Sequence, residues 1–401
     1  MTRGRPAPEL VLLGADIGVY AIARAFHEEY GTIATAICRT AAGPIKGSKI
    51  IEAIPLGEGA EDGEIIDALL HLAGQRPNAR PHLMANADKL IRLIDDHRAE
   101  LDPHYVIDAP LGEVLDEVSD KAQFARLCDR LDIPTPRTEV VDLSLPQSAD
   151  IEMTEPGTYV VKAARSDLYA SLEMAGKQKV YILDDSEVQP LLIRMREAGY
   201  RGEVIVQDFI EGGDTQMRSV TLRREADGRI SLVGVARVLV EEHTPSADGN
   251  PAAMVTAGGG EYHLAGLAGR LLEEVGYVGF ANFDVKVAPD GSPLFLELNP
   301  RVGRNSYYLT GGGANIARAV VERTERLHPR AGHLYSILPR DLLLRHVPED
   351  LRDGIRDVYR TGNVSHPLAL PGEPIRHRSY RLIAGANQRW KMHRYPPRST
   401  P

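Results

Sequence analysis

The chain has 401 residues, 43% of them hydrophobic, enough for two or three domains with cores of their own. A formal charge of -9 argues against general nucleic-acid binding, because neutralising phosphates takes clustered Lys and Arg. The two cysteines, Cys38 and Cys128, stand far apart without CxxC spacing, which excludes a disulfide framework or cysteine zinc site and points to a reduced compartment.

The opening MTRGRPAPEL is short and charged, and the apolar run after it, LVLLGADIGVYAIARAF, is broken by Asp16, Arg24 and two glycines. It reads as neither a signal peptide nor a membrane span, so a cytoplasmic protein without a span is expected. LVLLGAD predicts a buried strand, VYAIARAFHEEYG a helix closed by Gly31, and TIATAIC a second strand, together the start of a βαβ unit. The turn GADIG keeps only Gly14 and Gly18 and departs from GxGxxG spacing. A dinucleotide site, and with it an NAD(P)-dependent oxidoreductase, is therefore the weaker reading, and packing of helix on strand the stronger.

A second block begins at SDKAQFARLCDRLDIPTPRTEVV, where Ser119 is expected to cap a helix that Pro134 and Pro136 forbid to continue. GTYVVKAA, KQKVYIL and VIVQDFIEGGD read as strands, and EVQPLLIRMREAGY as a helix. MRSVTLRRE and ISLVGVARVLV predict further strands, followed by a loop, a helix in AGLAGRLLEEVG, a hairpin and a final helix over NIARAVVERTERL. The order fits an α/β unit followed by an α+β one. From His328 onward thirteen Arg and Lys face six Asp and Glu, a basic extension that is either a solvated appendage or a surface for an anionic substrate.

The hairpin FANFDVKVAPDGSPLFLELNPRVG places carboxylates inside two apolar runs. With Asp290-Gly291 as a two-residue turn, Asp284 faces Glu297 and Asn282 faces Asn299, all on one side of the sheet. Acids that close repel unless one takes a proton or a cation sits between them. Two carboxylates and an amide suit Mg²⁺ (or Mn²⁺), which completes its shell with water and phosphates; solvated acids on an exposed face are the plainer alternative. Lys162 ends the apolar run YVVK, where an ammonium needs a partner. Lys121 stands in the first turn of its helix, an end that favours anions over cations.

Taken in order, SDKAQF, VVKAA, VQDFIEGGD, FDVKV and FLELNPR resemble the ATP-grasp superfamily over residues 119 to 325. The resemblance implies a Rossmann-like pre-ATP-grasp domain (1–118), a small lobe with its linker helix (119–210), a large lobe with the metal site (211–327) and the extension (328–401). It further implies that Lys121 and Lys162 contact ATP phosphates, that Gln207, Asp208, Phe209 and Ile210 form the hinge at the adenine edge, and that Asp214 holds the ribose. Asp284, Glu297 and Asn299 would hold the metal, and Arg301 would steady the transferred phosphoryl group. The loop 165–178 departs from the family in having a single glycine, so Ser166, Ser171 or Lys177 is expected to take over phosphate covering.

Within the superfamily, GADIGVYAIARAFHEEYG, VEEHTPSADGN and NPRVGRNSYYLTGGGAN are similar to carboxylate–amine ligases of the D-aspartate ligase type. That likeness implies small carboxylate and amine substrates, a peptidoglycan-precursor-like amine among them, and a homodimer as an option. Arg237, His243, Arg304 and the backbone at Gly312 are the candidate substrate contacts. A nucleotide-binding regulatory protein with a degenerate site is the alternative, and retention of all three metal ligands speaks against it.

Overall fold

The computed structural model describes residues 7–145, 153, 155–165, 168–169, 172–245, 247–323 and 326–397. The first sheet is parallel: β1 (Leu10–Leu13), β2 (Ala34–Cys38), β3 (Ile51–Pro55) and β4 (His82–Ala85) lie in the order β3-β2-β1-β4. Every residue of β1 and β2 is buried, as a strand between two covered faces must be. The helix Ile17–Tyr30 makes the crossover, capped by Asp16 through the Gly18 and Val19 amides and closed by Gly31 in the left-handed region.

The second sheet is antiparallel, with β5 (Thr138–Asp142), β6 (Thr158–Ala163), β7 (Tyr181–Asp184) and β8 (Glu203–Asp208) in the order β5-β8-β6-β7. The helix Asp185–Glu197 turns Val188, Leu191, Leu192 and Met195 onto it, against Val161, Val204 and Val206. The third sheet holds β9 (Met217–Arg224), β10 (Ile230–Glu242), β11 (Asn250–Thr256), β12 (Gly279–Val287), β13 (Pro293–Asn299), β14 (Leu334–Ser336) and β15 (Val364–Ser365) in the order β13-β12-β9-β10-β11-β14-β15. One face packs on the helix His263–Glu274 through Leu264, Ala268, Leu271 and Leu272. The other face shares a continuous core with the helix Ile17–Tyr30, with Tyr308, Leu309 and Ile316, and with Leu342, Leu343 and Met392 further on.

Four expectations change. Asp120, not Ser119, caps the helix Lys121–Arg130, accepting from the Ala122 and Gln123 amides at 2.9 Å each. A carboxylate complements the positive helix end better than a hydroxyl, and Ser119 instead ends the preceding helix Gly112–Ser119. The expected loop after β10 contains β11, paired antiparallel to it. Of the helix expected over 315–327, the described part spans Ile316–Val321, and Leu327 bridges to Leu232; residues 324 and 325 lie outside the described residues. Finally, the segment from 328 completes the large sheet, since β14 pairs with β11 and carries β15.

Candidate active site

β12 and β13 form the hairpin at the edge of the large sheet, with Asp284 opposite Glu297 and Asn282 opposite Asn299. The turn differs from the one expected. The Gly291 amide donates to Ala288 O at 2.9 Å with Gly291 at φ 89°, and the Ala288 amide donates to Ser292 O, so the loop has three residues. Alone, that would slip Glu297 by one position and onto the other face. A bulge at Leu296 restores the register, because Val285 pairs with Phe295 while Asp284 pairs with Glu297.

Around this pair the charges are dense. Asn299 Nδ2 donates to Asp284 Oδ2 at 3.1 Å, and Asn299 Oδ1 accepts from Arg301 at 3.1 Å. Lys121 Nζ stands 3.5 Å from Glu297 Oε2. Burial pulls the Lys162 ammonium down to about 8 against the opposing pull of Glu297. Burial, then Glu297, push the Asp284 carboxyl up. Burial pushes Glu297 up as well, but Lys121, Lys162 and Lys179 outweigh it and hold that carboxyl well below the usual range. An acid driven toward its protonated form beside an ionised one, both buried on neighbouring strands, is a pair that fits a hard divalent ion, with the Asn299 side chain next to it.

These groups line a cavity of about 750 Å³ between the second and third sheets, together with Gln207, Asp208, Phe209, Ile210, Asp214 and Arg304. The segment after β8 is pinned to both lobes: the Phe209 amide donates to Thr158 O at 3.0 Å, and Lys286 Nζ donates to Ile210 O at 2.7 Å. Gln207 is fixed by its own bond to Thr138 Oγ1. Asp214 accepts from the Glu241 amide at 2.8 Å and meets His243 Nε2 at 3.0 Å, while His243 Nδ1 meets Asp248 at 2.8 Å.

His243 therefore stands behind Asp214. Burial pulls its pKa down, but the two aspartates outweigh burial and raise it to about 9. Asp214, Glu241 and His243 have ligand atoms within 4.8 Å of one another, but both ring nitrogens of His243 are already engaged, by Asp214 and Asp248.

The remaining expected residues separate. Arg301 pairs with Asp88 at 2.6 Å, and Arg304 lies 3.5 Å from both Asp16 and Glu242; both arginines line the cavity. Arg237 does not, because its Nε donates to Thr215 O at 2.9 Å. Gly312 is also off the cavity: its amide donates to Tyr308 O, and a Cβ there would lie 2.7 Å from Pro329. Lys177 lines the cavity while bonding Leu172 O, whereas Ser166 and Ser171 lie outside the described residues. In GADIG, the Asp16 carboxylate fills the helix terminus that a dinucleotide phosphate needs, and Gly18 admits Asn86, whose Nδ2 would be 2.0 Å from a Cβ.

Sequence reasoning missed Asn86, Asp88, Lys179, Glu241, Asn305 and Tyr335 at the cavity wall. Glu241 carried the same signal as Asp284, an acid inside an apolar strand run, in VLVEEH. Asn86 and Asp88 carried none, since they arrive from the first domain.

No family model matches the chain. A D-aspartate ligase from Enterococcus faecium (strain Aus0004) is 33% identical over 319 residues, 78% of this chain and 75% of that protein. An N5-carboxyaminoimidazole synthetase from Staphylococcus aureus shares the fold at TM-score 0.60 and 10% identity, over 83% of this chain and 82% of that one. An L-amino acid ligase from Bacillus licheniformis does so at 0.57 and 14%, over 80% and 74%. A biotin carboxylase domain from Hydrogenobacter thermophilus, solved with MgADP, has TM-score 0.57 at 15% identity over 81% of this chain and 73% of that one. With the D-aspartate ligase aligned over three quarters of its length and the carboxylate hairpin facing the lysines across the cleft, this chain belongs to the ATP-grasp carboxylate–amine ligases, enzymes that form C–N bonds at the expense of ATP.

Proposed function

We propose that the enzyme uses ATP and Mg²⁺ (or Mn²⁺) to activate a small amino-acid carboxylate of the D-aspartate kind, and joins it to the amine of a peptidoglycan-precursor-like acceptor. The observation that carries this reading is the Asp284–Glu297 pair, set opposite Lys121 and Lys162 at one cavity. A carboxylate is a poor electrophile because its charge repels nucleophiles and its oxide leaves badly. Transfer of the γ-phosphoryl group gives an acyl phosphate, and attack by the amine then releases phosphate and leaves an amide.

Each residue has a part in this. Lys121 and Lys162 face the nucleotide phosphates and offset their charge. Gln207, Asp208, Phe209 and Ile210 present the hinge to the adenine, and Asp214, held rigid by His243 and the Glu241 amide, accepts from the ribose hydroxyls. Asp284, Glu297 and Asn299 would hold the divalent ion, which when bound screens the phosphates and favours attack at the γ-phosphorus. Arg301 steadies the transferred phosphoryl group, and Arg304, near Asn86 and Asn305, receives a substrate carboxylate. The two lobes exclude water that would hydrolyse the intermediate.

Incubation with ATP, Mg²⁺, hydroxylamine and a panel of D- and L-amino acids tests the reading. D-Aspartate or a close dicarboxylate is expected to give hydroxamate and ADP in equal amounts. ADP release that no carboxylate stimulates and no hydroxamate accompanies would contradict it.

A further inference from the structure

The helix Ile375–Arg394 is built inside out. Its inward side carries His377, Gln388 and Met392, all buried, and is held down by polar contacts: Gln388 Nε2 donates to Glu242 Oε1 at 2.5 Å, and Lys391 Nζ reaches the same oxygen at 3.1 Å. Its outward side carries Ile375, Leu382, Ile383 and Trp390, exposed by 72%, 72%, 65% and 60%. Ile375, Leu382, Ala386 and Trp390 recur at intervals of seven and four, one stripe of an α-helix, and Ile383 broadens it. By the same spacing Arg376 and Arg394 edge the stripe on one side and Arg378 and Arg389 on the other. An apolar stripe turned to water on a helix already anchored by its other side needs a cover.

Charge identifies the cover. The helix holds six Arg and Lys and no Asp or Glu, contributing +6 to a chain of -9, so the remainder stands at -15. A neighbouring acid that answers it is Asp341, which pairs with Arg389 at 2.6 Å. A second copy seated stripe against stripe would bring twelve cations together with no acid from either helix, which disfavours self-association. An anionic lipid surface satisfies both halves of the pattern: acyl chains take up the Leu, Ile and Trp side chains while headgroup phosphates receive the arginines. No described helix is long and apolar enough to cross a membrane, so the contact is one of lying on the surface.

We infer that the helix Ile375–Arg394 docks the enzyme peripherally on anionic membranes, with Leu382, Ile383 and Trp390 entering the headgroup boundary. The inference goes beyond the proposed function and holds whatever carboxylate the enzyme activates. It also gives the basic extension a use other than substrate attraction. The acidic remainder of the chain, repelled by the same lipid, sets the orientation.

Trp390 is the one tryptophan of the chain, so its emission reports the contact directly. The full chain is titrated with vesicles of phosphatidylglycerol and phosphatidylcholine in equal parts, and with phosphatidylcholine alone. The expected result is a blue shift of the emission and co-sedimentation with the mixed vesicles alone, both weakened by high salt. Leu382→Ser with Ile383→Ser, and separately Arg376→Glu with Arg378→Glu, are expected to lower binding at least tenfold while leaving ADP formation in solution unchanged. Three outcomes overturn the inference: an unshifted emission with both vesicles, binding to mixed vesicles that the Leu382/Ile383 variant retains in full, or a lipid-free dimer in which Trp390 is already buried.

Discussion

At the level of single residues, His243 carries the clearest pH signature. Its pKa is raised from 6.5 to about 9 in the folded protein. A raised pKa means that the folded state holds the proton more tightly, so the stabilisation is fully present below 6.5 and is lost as pH rises through about 9. Tm of the wild type is expected to fall over that interval, and His243→Gln, which has no proton to lose, should show a flatter profile. Equal slopes for the two proteins would remove the imidazolium from the account. The same residue illustrates what a sequence leaves out. A histidine in VEEHTPSADGN reads equally as a substrate contact or a loop residue, and only the fold brings Asp214, 29 positions away, to its Nε2.

Elements show where sequence logic holds and where it holds by compensation. Alternation in ANFDVKV and PLFLELN is enough to pair Asp284 with Glu297, although the loop is one residue longer than the expected turn and Leu296 bulges. The two departures cancel, because each moves the register by one. β11 was illegible for a physical reason: Pro251 and the turn residues Asp248-Gly249-Asn250 mask a strand that tertiary pairing imposes. Two substitutions probe this scale. Gly291→Ala forces an alanine to φ 89° in the hairpin loop, and a loss of about 1–2 kcal/mol in denaturant unfolding is expected with kcat unchanged. Gly18→Ala would set a Cβ 2.0 Å from Asn86 Nδ2 and 3.0 Å from the Arg304 Cα, both at the cavity wall. It should raise KM for the carboxylate substrate several-fold while changing KM for ATP little, and an equal rise in both would argue against a substrate role for that wall.

Across the whole molecule, the first domain and the large sheet are one body. One apolar core is shared between them, and a buried ion cluster crosses the junction: Arg223, 1% exposed, reaches Asp108 at 3.2 Å and Glu225 at 2.9 Å, with Arg323 on Asp108 at 2.7 Å. Arg223→Met leaves two acids short of a partner, and a destabilisation of about 3–5 kcal/mol in urea unfolding is expected; a neutral effect would mean that solvent reaches the cluster. The second sheet has its own core and meets the rest across the cavity, the arrangement of two jaws on a nucleotide. The proposed function requires this cleft to activate a carboxylate by phosphorylation at the Asp284–Glu297 pair. The most direct measurement supplies the carboxylate that yields hydroxamate with its oxygens isotopically heavy, and follows the label by mass spectrometry. One heavy oxygen should pass into each phosphate released, and Glu297→Ala should lower the rate by at least about 10²-fold. Phosphate that takes its oxygen from water alone, or a Glu297→Ala enzyme that transfers label at the wild-type rate, would contradict the account.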